Sequence, residues 1–350
     1  MKPYNVFAII LPGLENLAAD ELQELGIKKL NVEKGGISFH CHPRKLLELN
    51  YLSRIVNRFL VRIHSFKASS FSEFEKNFKP DLLKPFLNDS KIKLKTSLRK
   101  SKLYHSGAVE ERFLKFSQCT LSKKDNAPEF YIHAEDNIFT ISINSSGESL
   151  YKRGHISHSV TAPLRETLAA AMLRASGIQK SLWDPMCGRG TLGIEYLNLP
   201  PKRSFTMSQW KVISENDLKH IEEVVSRFDH NTSITIYLSD INPDAVEATR
   251  HNVTSLQNNH ITVFEHDINN KQSTQIKTHP DVIICNMPYG KRIQHEKPTF
   301  KALQQLAKHH NAKLFVLFPS GFIHEGWTKR FSCRNGGVMV SFCEWTGISY

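Results

Sequence analysis

The sequence predicts an α/β chain whose C-terminal half is a doubly wound, mostly parallel sheet, preceded by smaller α+β modules. Three observations carry this reading. From about residue 163, short apolar runs alternate with amphipathic helical stretches, the pattern of repeated strand-helix-strand units. Two of those runs, Ser181 to Asp184 and Asp281 to Cys285, end in loops built from Gly and Pro, as buried parallel strands do at their carboxyl ends. The chain of 350 residues, 40% hydrophobic and 23% charged, has the length of two or three domains and an ordinary globular composition.

Taken in order, Tyr4 to Leu11 alternates as a strand and stops at the Pro12-Gly13 turn. Leu14 to Leu25 is amphipathic and ends at Gly26, in the position of a left-handed helix cap. Asn31 to His40 folds about the Gly35-Gly36 turn, and Pro43 to Ile63 reads as a helix, or a helix and a strand. Residues 1–55 thus form one small α+β module, and 56–154 a second that closes with a strand pair, Glu129 to Ala134 and Asn137 to Asn144. The polar stretch from His155 to Thr161 reads as a linker, with His155 and His158 solvated, since two histidines without further ligands make a poor metal site. Thr161 is placed to cap a helix whose first turn holds Pro163. Strands follow at Ser181 to Asp184, Ser233 to Asp240, Ile261 to Asp267, Asp281 to Cys285 and Lys313 to Pro319. Helices separate them at Gly190 to Leu197, Pro243 to Leu256 and Thr299 to His309. The tail, Thr328 to Trp345, is a hairpin about Asn335-Gly336-Gly337.

Composition narrows the partners. Forty-six basic against 34 acidic residues give a net charge of +12 and favour a polyanion. Between Lys91 and Lys102 six basic residues occur without an acid, and Lys91, Lys93 and Lys95 alternate with Ile92 and Leu94, so a strand would carry them on one face. A lysine-protected edge strand has the same pattern; the surrounding basic excess favours phosphate contacts. No stretch is apolar enough to span a bilayer, the N-terminal apolar run is too short for a signal peptide, and the chain is expected in the cytoplasm. The six cysteines form no Cys-x-x-Cys pair and read as reduced, buried thiols, without a metal site.

Strand ends carry the chemistry. Asp184-Pro185-Met186-Cys187-Gly188-Arg189-Gly190-Thr191 is a glycine turn opening a helix, where a ligand can approach the backbone closely. Asp240, on the next strand, is placed for ribose hydroxyls; it or Asn242 also suits the cap of the helix at Pro243, and both roles can hold. Asp267 follows a third strand, beside the expected adenine edge. After a fourth strand, Asn286-Met287-Pro288-Tyr289 presents an amide, a backbone carbonyl and an aromatic face. An amino group on an aromatic base is a poor nucleophile, and two acceptors on its hydrogens can aim it at an electrophile while the Tyr face stacks on the base. These four strand ends together imply S-adenosylmethionine and methyl transfer to an exocyclic amine.

The same residues carry a family resemblance over nearly the whole chain. Leu11-Pro12-Gly13-Leu14-Glu15, Gly35 to Phe39 and Asn50 to Arg58 resemble the N-terminal ferredoxin-like module of the THUMP-containing RNA guanine-N2 methyltransferases. Ser145 to Gly154 is similar to the end of their THUMP domain, Ala162 to Ala170 to their A-P-L-K/R-E-T-L-A helix, Asp184 to Thr191 to their D-P-x-C-G-S-G-T loop, and Asn286 to Ile293 to their N-P-P-Y-G-x-R-L loop. The resemblance implies a class I, Rossmann-like methyltransferase domain with a seven-stranded sheet over 163–350, behind a ferredoxin-like module (1–55), a THUMP RNA-binding domain (56–154) and a linker (155–162). It implies a cofactor site of Asp184, Pro185, Cys187, Gly188, Gly190, Thr191, Asp240, Ile241, Asp267 and Ile268, and a catalytic loop of Asn286, Met287, Pro288 and Tyr289. Structured RNA, ribosomal RNA ahead of transfer RNA, would lie against Lys67, Lys91, Lys93, Lys95, Arg99, Lys100, Lys102 and Arg292. Guanine-N2 is the target implied; adenine-N6 methylation or a catalytically silent RNA-binding factor are the alternatives. Three positions depart from the family pattern. Arg189 stands where Ser is usual, and either points outward, pairs with the cofactor carboxylate or obstructs it; Met287 replaces the first Pro of the catalytic loop; and Gly154-His155-Ile156 replaces G-Y-R.

Overall fold

The computed structural model describes residues 2–124, 127–158, 164–178, 180–226, 228, 234–256, 260–270, 275–288, 296–322 and 325–347. They fall into two compact units, one of Met1–Ile10, Ala19–Leu150 and Arg203–Arg227, the other of Leu11–Ala18, Tyr151–Lys202 and Phe228–Tyr350.

The elements begin with β1 (Tyr4–Ile9), α1 (Glu15–Glu24), β2 (Leu30–Glu33), β3 (Gly36–Cys41), α2 (Pro43–Leu52), β4 (Arg58–Lys67), α3 (Phe71–Asn77) and β5 (Lys91–Arg99). They continue through α4 (Ser106–Ser117), β6 (Thr120–Leu121), β7 (Glu129–Glu135) and β8 (Ile138–Asn144). Among the described residues these strands make one eight-stranded sheet in the order β2-β3-β1-β4-β8-β7-β5-β6. The β1–β3 and β1–β4 pairs are antiparallel, and β4 continues the sheet onto β8. Phe66, Phe74, Phe78, Phe113, Phe130 and Phe139 pack in the core, with Phe66 and Phe139 stacked at 5.8 Å between centroids. Asn50 is buried and answered on both sides: its amide donates to Ser145 Oγ at 3.2 Å, and its oxygen accepts from Ser146 Oγ at 2.6 Å. Strand β5 is parallel to β7 from Lys93 to Arg99 and meets the two-residue β6 only at Lys91 and Ile92, so most of its other side has no strand partner among the described residues, as a lysine-protected edge would.

The second half runs α5 (Glu166–Ser176), β9 (Ser181–Asp184), α6 (Thr191–Tyr196), α7 (Glu215–Ser226), β10 (Thr235–Asp240), α8 (Pro243–Thr254), β11 (Ile261–Glu265), β12 (Val282–Asn286), α9 (Glu296–His310), β13 (Lys313–Pro319), β14 (Trp327–Asn335) and β15 (Val338–Trp345). Among the described residues the second unit holds a seven-stranded sheet, β11-β10-β9-β12-β13-β15-β14, parallel through β13 and antiparallel at the tail. The order reverses between β9 and β12, which opens a crevice above their carboxyl ends. Fully buried Val282, Ile283, Ile284 and Cys285 are apolar without alternation because both faces of a central parallel strand are covered. The tail hairpin turns through Gly336 (φ 56°) and Gly337 (φ 88°), the two left-handed positions of a tight hairpin. Among the described residues no helix is long and apolar enough to cross a membrane. All six cysteines are free and buried.

Several differences from the sequence reading have physical causes. Of residues 155–158, Ser157 and His158 are exposed as a solvated linker would be, but His155 is not. His155 is buried with Nε2 2.8 Å from the Pro200 carbonyl, and the backbone N–H groups of Ser157 and His158 donate to Asn252 Oδ1 at 3.1 and 3.0 Å. Gly154, at φ 86°, lets the chain turn there. Helix α7 was not anticipated; a reciprocal cap between Ser214 and Asp217 starts it, and it packs in the first unit through Arg44–Asp217 and His220–Glu48, each 2.7 Å. The Ser214 hydroxyl, then Arg44, lowers the Asp217 carboxyl to about 2. Thr161 and Pro163 lie outside the described residues, and α5 is described from Glu166.

Gly13 shows how tightly one turn is fitted. It sits at φ 103°, and a Cβ there would come 1.9 Å from the Ser332 carbonyl oxygen. Gly13→Ala is expected to cost about 2–4 kcal/mol of stability, from left-handed strain plus a backbone clash; unchanged calorimetric unfolding would refute the close fit.

Candidate active site

The site is assembled at the carboxyl ends of β9, β10, β11 and β12. Strand β9 ends in Asp184, which is 2% exposed; its carboxylate accepts from the Met186 N–H at 3.1 Å. Burial, reinforced by Asp240 nearby, pushes the Asp184 carboxyl well above its ordinary value. Pro185 is buried behind it, and Cys187 is buried with Sγ 3.5 Å from Thr249 Oγ1. Burial, and next the Asp184 charge, drive the Cys187 thiol well up, so it stays protonated and inert.

The turn that follows has left-handed backbone at Gly188 (φ 56°) and Gly190 (φ 83°). Its peptide groups find partners elsewhere in the unit. Gly188 N–H donates to Asp240 Oδ2 at 3.0 Å, Cys187 N–H to the Ser239 carbonyl at 2.9 Å, and Thr249 Oγ1 to the Gly188 carbonyl at 2.8 Å. Asn252 Nδ2 donates to the Arg189 carbonyl at 3.1 Å. A Cβ on Gly190 would meet Thr249 Cγ2 at 3.0 Å, so α8 approaches the turn closely. Buried Thr191 then opens α6.

Asp240 ends β10. Its Oδ1 accepts from Asn242 N–H at 3.0 Å, and Asn242 Oδ1, accepting from Asp244 N–H at 3.0 Å, is the cap of α8. The capping role therefore belongs to Asn242, and each Asp240 oxygen, having taken one N–H, keeps a lone pair for a ribose hydroxyl. Ile241 next to it is 63% exposed, an apolar surface of the kind a purine ring covers. Asp267, whose Oδ1 accepts from Asn269 N–H at 2.9 Å, follows β11, and Ile268 packs against the β9–β12 core.

Asn286 closes β12. Its Oδ1 is buried and has no hydrogen-bond partner among the described residues, a costly arrangement unless a donor arrives. Met287 is 3% exposed; its side chain joins the core with Ile283, Cys285 and Phe300, and its N–H donates to the Leu317 carbonyl at 3.0 Å. A proline could not make that bond, so the departure at this position adds a backbone tie to β13. Pro288 is described; Tyr289 and Arg292 lie outside the described residues. Arg189 is turned onto its own unit, with Nε donating to Thr191 Oγ1 at 3.2 Å and Nη2 to the Leu164 carbonyl at 3.1 Å. The sequence reading missed Thr249 and Asn252, about 60 positions from the turn that they fix.

A model of the RMKL-like methyltransferase domain matches residues 153–315, and one of the RlmL ferredoxin-like domain matches residues 5–60. Residues 153–315 form an RMKL-like methyltransferase domain. The protein slr0064 of Synechocystis sp., provisionally named an RNA methyltransferase, is 27% identical over 87% of this chain and 84% of its own. Ribosomal RNA large subunit methyltransferase K/L of Psychromonas ingrahamii is 28% identical over 85% of this chain and 43% of its own, so the chain spans under half of that relative. Among solved structures, SMU.472, provisionally assigned as a methyltransferase and solved with SAH, has the same fold: TM-score 0.82 over 100% of both chains, at 20% identity. The second unit thus pairs a match to a methyltransferase domain with the fold of a structure solved with SAH. The lone pairs of Asp240 and the exposed Ile241 fit the nucleoside of that molecule.

Because the Asp184 carboxyl titrates well above 3.8 in the fold, the folded state binds its proton more tightly than the unfolded chain. Stability is thus fullest below the unfolded value and falls as pH rises towards the folded one. Asp184→Asn is expected to melt higher than the parent at about pH 8 without cofactor, and to lose less stability between about pH 4 and 8; an identical pH dependence in calorimetry would contradict this. Met287→Pro should cost about 2–5 kcal/mol, whereas Met287→Leu, which keeps the N–H and the volume, should cost under about 1.5. Equal thermal midpoints for the two variants would remove the backbone tie from the account.

Proposed function

We propose that this protein transfers a methyl group from S-adenosylmethionine to the exocyclic 2-amino group of a guanosine in structured RNA, ribosomal RNA ahead of transfer RNA. The observation that carries the reading is Asn286 Oδ1, buried and partnerless at the carboxyl end of β12. The bound cofactor supplies the methyl group as an electrophilic sulfonium. Asn286 Oδ1 and the Met287 carbonyl accept the two hydrogens of the amine and hold its nitrogen in line with that methyl. Pro288 shapes the turn, and Tyr289 stacks on the base, an interaction worth about 1–3 kcal/mol. As the N–C bond forms, the methyl–sulfur bond breaks to leave a neutral thioether, the amine's proton leaves to solvent, and no strong base is needed. Orientation and electrostatics therefore carry the rate.

RNA as substrate is supported by the net charge of +12 and by the provisional name of slr0064; ribosomal RNA is supported by the name of the K/L relative. We assign residues 56–154 to a THUMP domain whose exposed Lys67, Lys91, Arg99, Lys100 and Lys102, with half-buried Lys93, contact phosphates. Lys95 is held 2.7 Å from Glu129 and contributes less net charge to that face. A paired base hides its amino group, so the target guanosine is unpaired or flipped. Arg292 completes the RNA contacts.

Deproteinised total RNA incubated with labelled S-adenosylmethionine tests the substrate, with mass analysis of the modified nucleoside. Label in large ribosomal RNA as N2-methylguanosine is expected; N6-methyladenosine, or label in transfer RNA alone, would replace the base or the RNA in this reading. Asn286→Ala is expected to lower the turnover rate by about 10²–10³ while RNA and SAH affinities hold. Full activity in that variant would sink the mechanism.

A further inference from the structure

The eight-stranded sheet of the first unit has two unlike faces. One buries Phe66, Phe130, Ile132, Phe139 and Ile141 in the core. The strand registers put the alternate residues on the other, whose floor is short and polar. Ser65 of β4 lies opposite Thr140 of β8, their hydroxyls 3.3 Å apart, and Ser97 of β5 lies opposite His133 of β7. Long cations stand on both flanks of this floor: Arg58, Arg62 and Lys67 along β4, and Lys91, Lys93, Lys95 and Arg99 along β5. Three strand spacings, about 14 Å, separate the two rows in the order β4-β8-β7-β5. The acids set against them are Glu129, 2.7 Å from Lys95, Glu33, 3.6 Å from Arg62, and Glu135, opposite Arg99 in register. Positive charge is left in excess.

Between the rows, β7 carries two rings, Tyr131 and His133, two positions apart and so on one face. Tyr131 is fixed at its hydroxyl, which accepts from Arg58 Nη1 at 2.6 Å and donates to Glu129 Oε2 at 3.1 Å. His133 is exposed at its rim; partial desolvation first, then Arg99 and Arg62 against the opposing Glu135, hold its imidazole below the ordinary histidine value, so it is neutral at pH 7. A solvated face is ordinary for an antiparallel sheet. Rings between two rows of cations, however, match the stacking and phosphate contacts that a nucleic acid strand offers. Stacking on a side chain needs an open base face, which a duplex covers with its own neighbouring pairs. We propose that this face binds a single-stranded segment of RNA, with its bases on Tyr131 and His133 and its phosphates along the flanking cations. That the strand is RNA rests on the function proposed above; that it is unpaired rests on the rings.

Fluorescence anisotropy of the full chain, without cofactor, tests this with a labelled single-stranded RNA of mixed sequence, about 12 nucleotides long, and the same strand annealed to its complement. Tighter binding of the single strand is expected. Tyr131→Ala and His133→Ala are each expected to weaken it by about 5- to 100-fold, as loss of one stacked base does, while the duplex stays within about twofold. Tyr131→Phe, which keeps the ring, should hold most of the single-strand affinity. Arg99→Gln should lower the salt slope of single-strand binding by about 0.7, the share of one phosphate contact. A preference for the duplex, or single-strand affinity unmoved by the loss of either ring, overturns the surface. His133 is exposed, so its variant decides the matter even if Tyr131→Ala does not fold. Methyl transfer to RNA that persists while both ring variants bind the single strand normally would remove this surface alone; absence of any RNA binding would overturn the function proposed above as well.

Discussion

The hydrogen bond from the Gly188 N–H to the Asp240 carboxylate is the interaction on which the rest of the site depends. A glycine turn leaving a central strand has no ladder of its own, and its peptide groups must find partners or forfeit free energy. Here they find them on β10 and on α8, through Asp240, the Ser239 carbonyl, Thr249 and Asn252. These bonds lock the end of β9 to the end of β10. Since the sheet order reverses between β9 and β12, locking one side also sets the distance across the crevice to Asn286.

The site pays for its shape in buried polarity. Asp184 is a carboxyl group almost without solvent, Asn286 Oδ1 and Glu166 Oε2 are buried acceptors without donors among the described residues, and Ile241 is an apolar side chain left in water. Each is unfavourable alone, and such violations of ordinary burial rules gather where a ligand completes them. The protein core around them is conventional by comparison. Trp183, Ile283, Cys285, Leu303 and Val316 pack without exposure, and the buried indole of Trp183 donates to Ser239 Oγ at 3.0 Å. A stiff core keeps the unsatisfied groups from relaxing towards one another.

Two departures from the resembling family read differently once their surroundings are known. Met287 donates its N–H to Leu317 and buries its thioether, so the loop after β12 gains a backbone anchor at the place where a proline would have supplied rigidity. His155, unlike a solvated loop residue, is buried against the Pro200 carbonyl. Both cases show local identity as a weak guide to local role, because the partner that gives the residue its task is distant in sequence.

The sequence by itself determined the periodic elements and the chemistry at their ends. Apolar runs of strand length, glycines where the backbone must be left-handed, and Asn or Asp at or just past the ends of β10, β11 and β12 are local signals, legible because they depend on neighbours within a few positions. Helix α7 was not legible: its polar surface predicts little until Arg44 and Glu48 face it. Nor were Thr249 and Asn252, whose importance lies in atoms about 60 to 90 positions away. Which buried acceptors stay without donors was decided only by the tertiary structure. That is a property of three-dimensional accounting: a side chain's partners are set by the packing of every element around it, and no window of sequence contains them all.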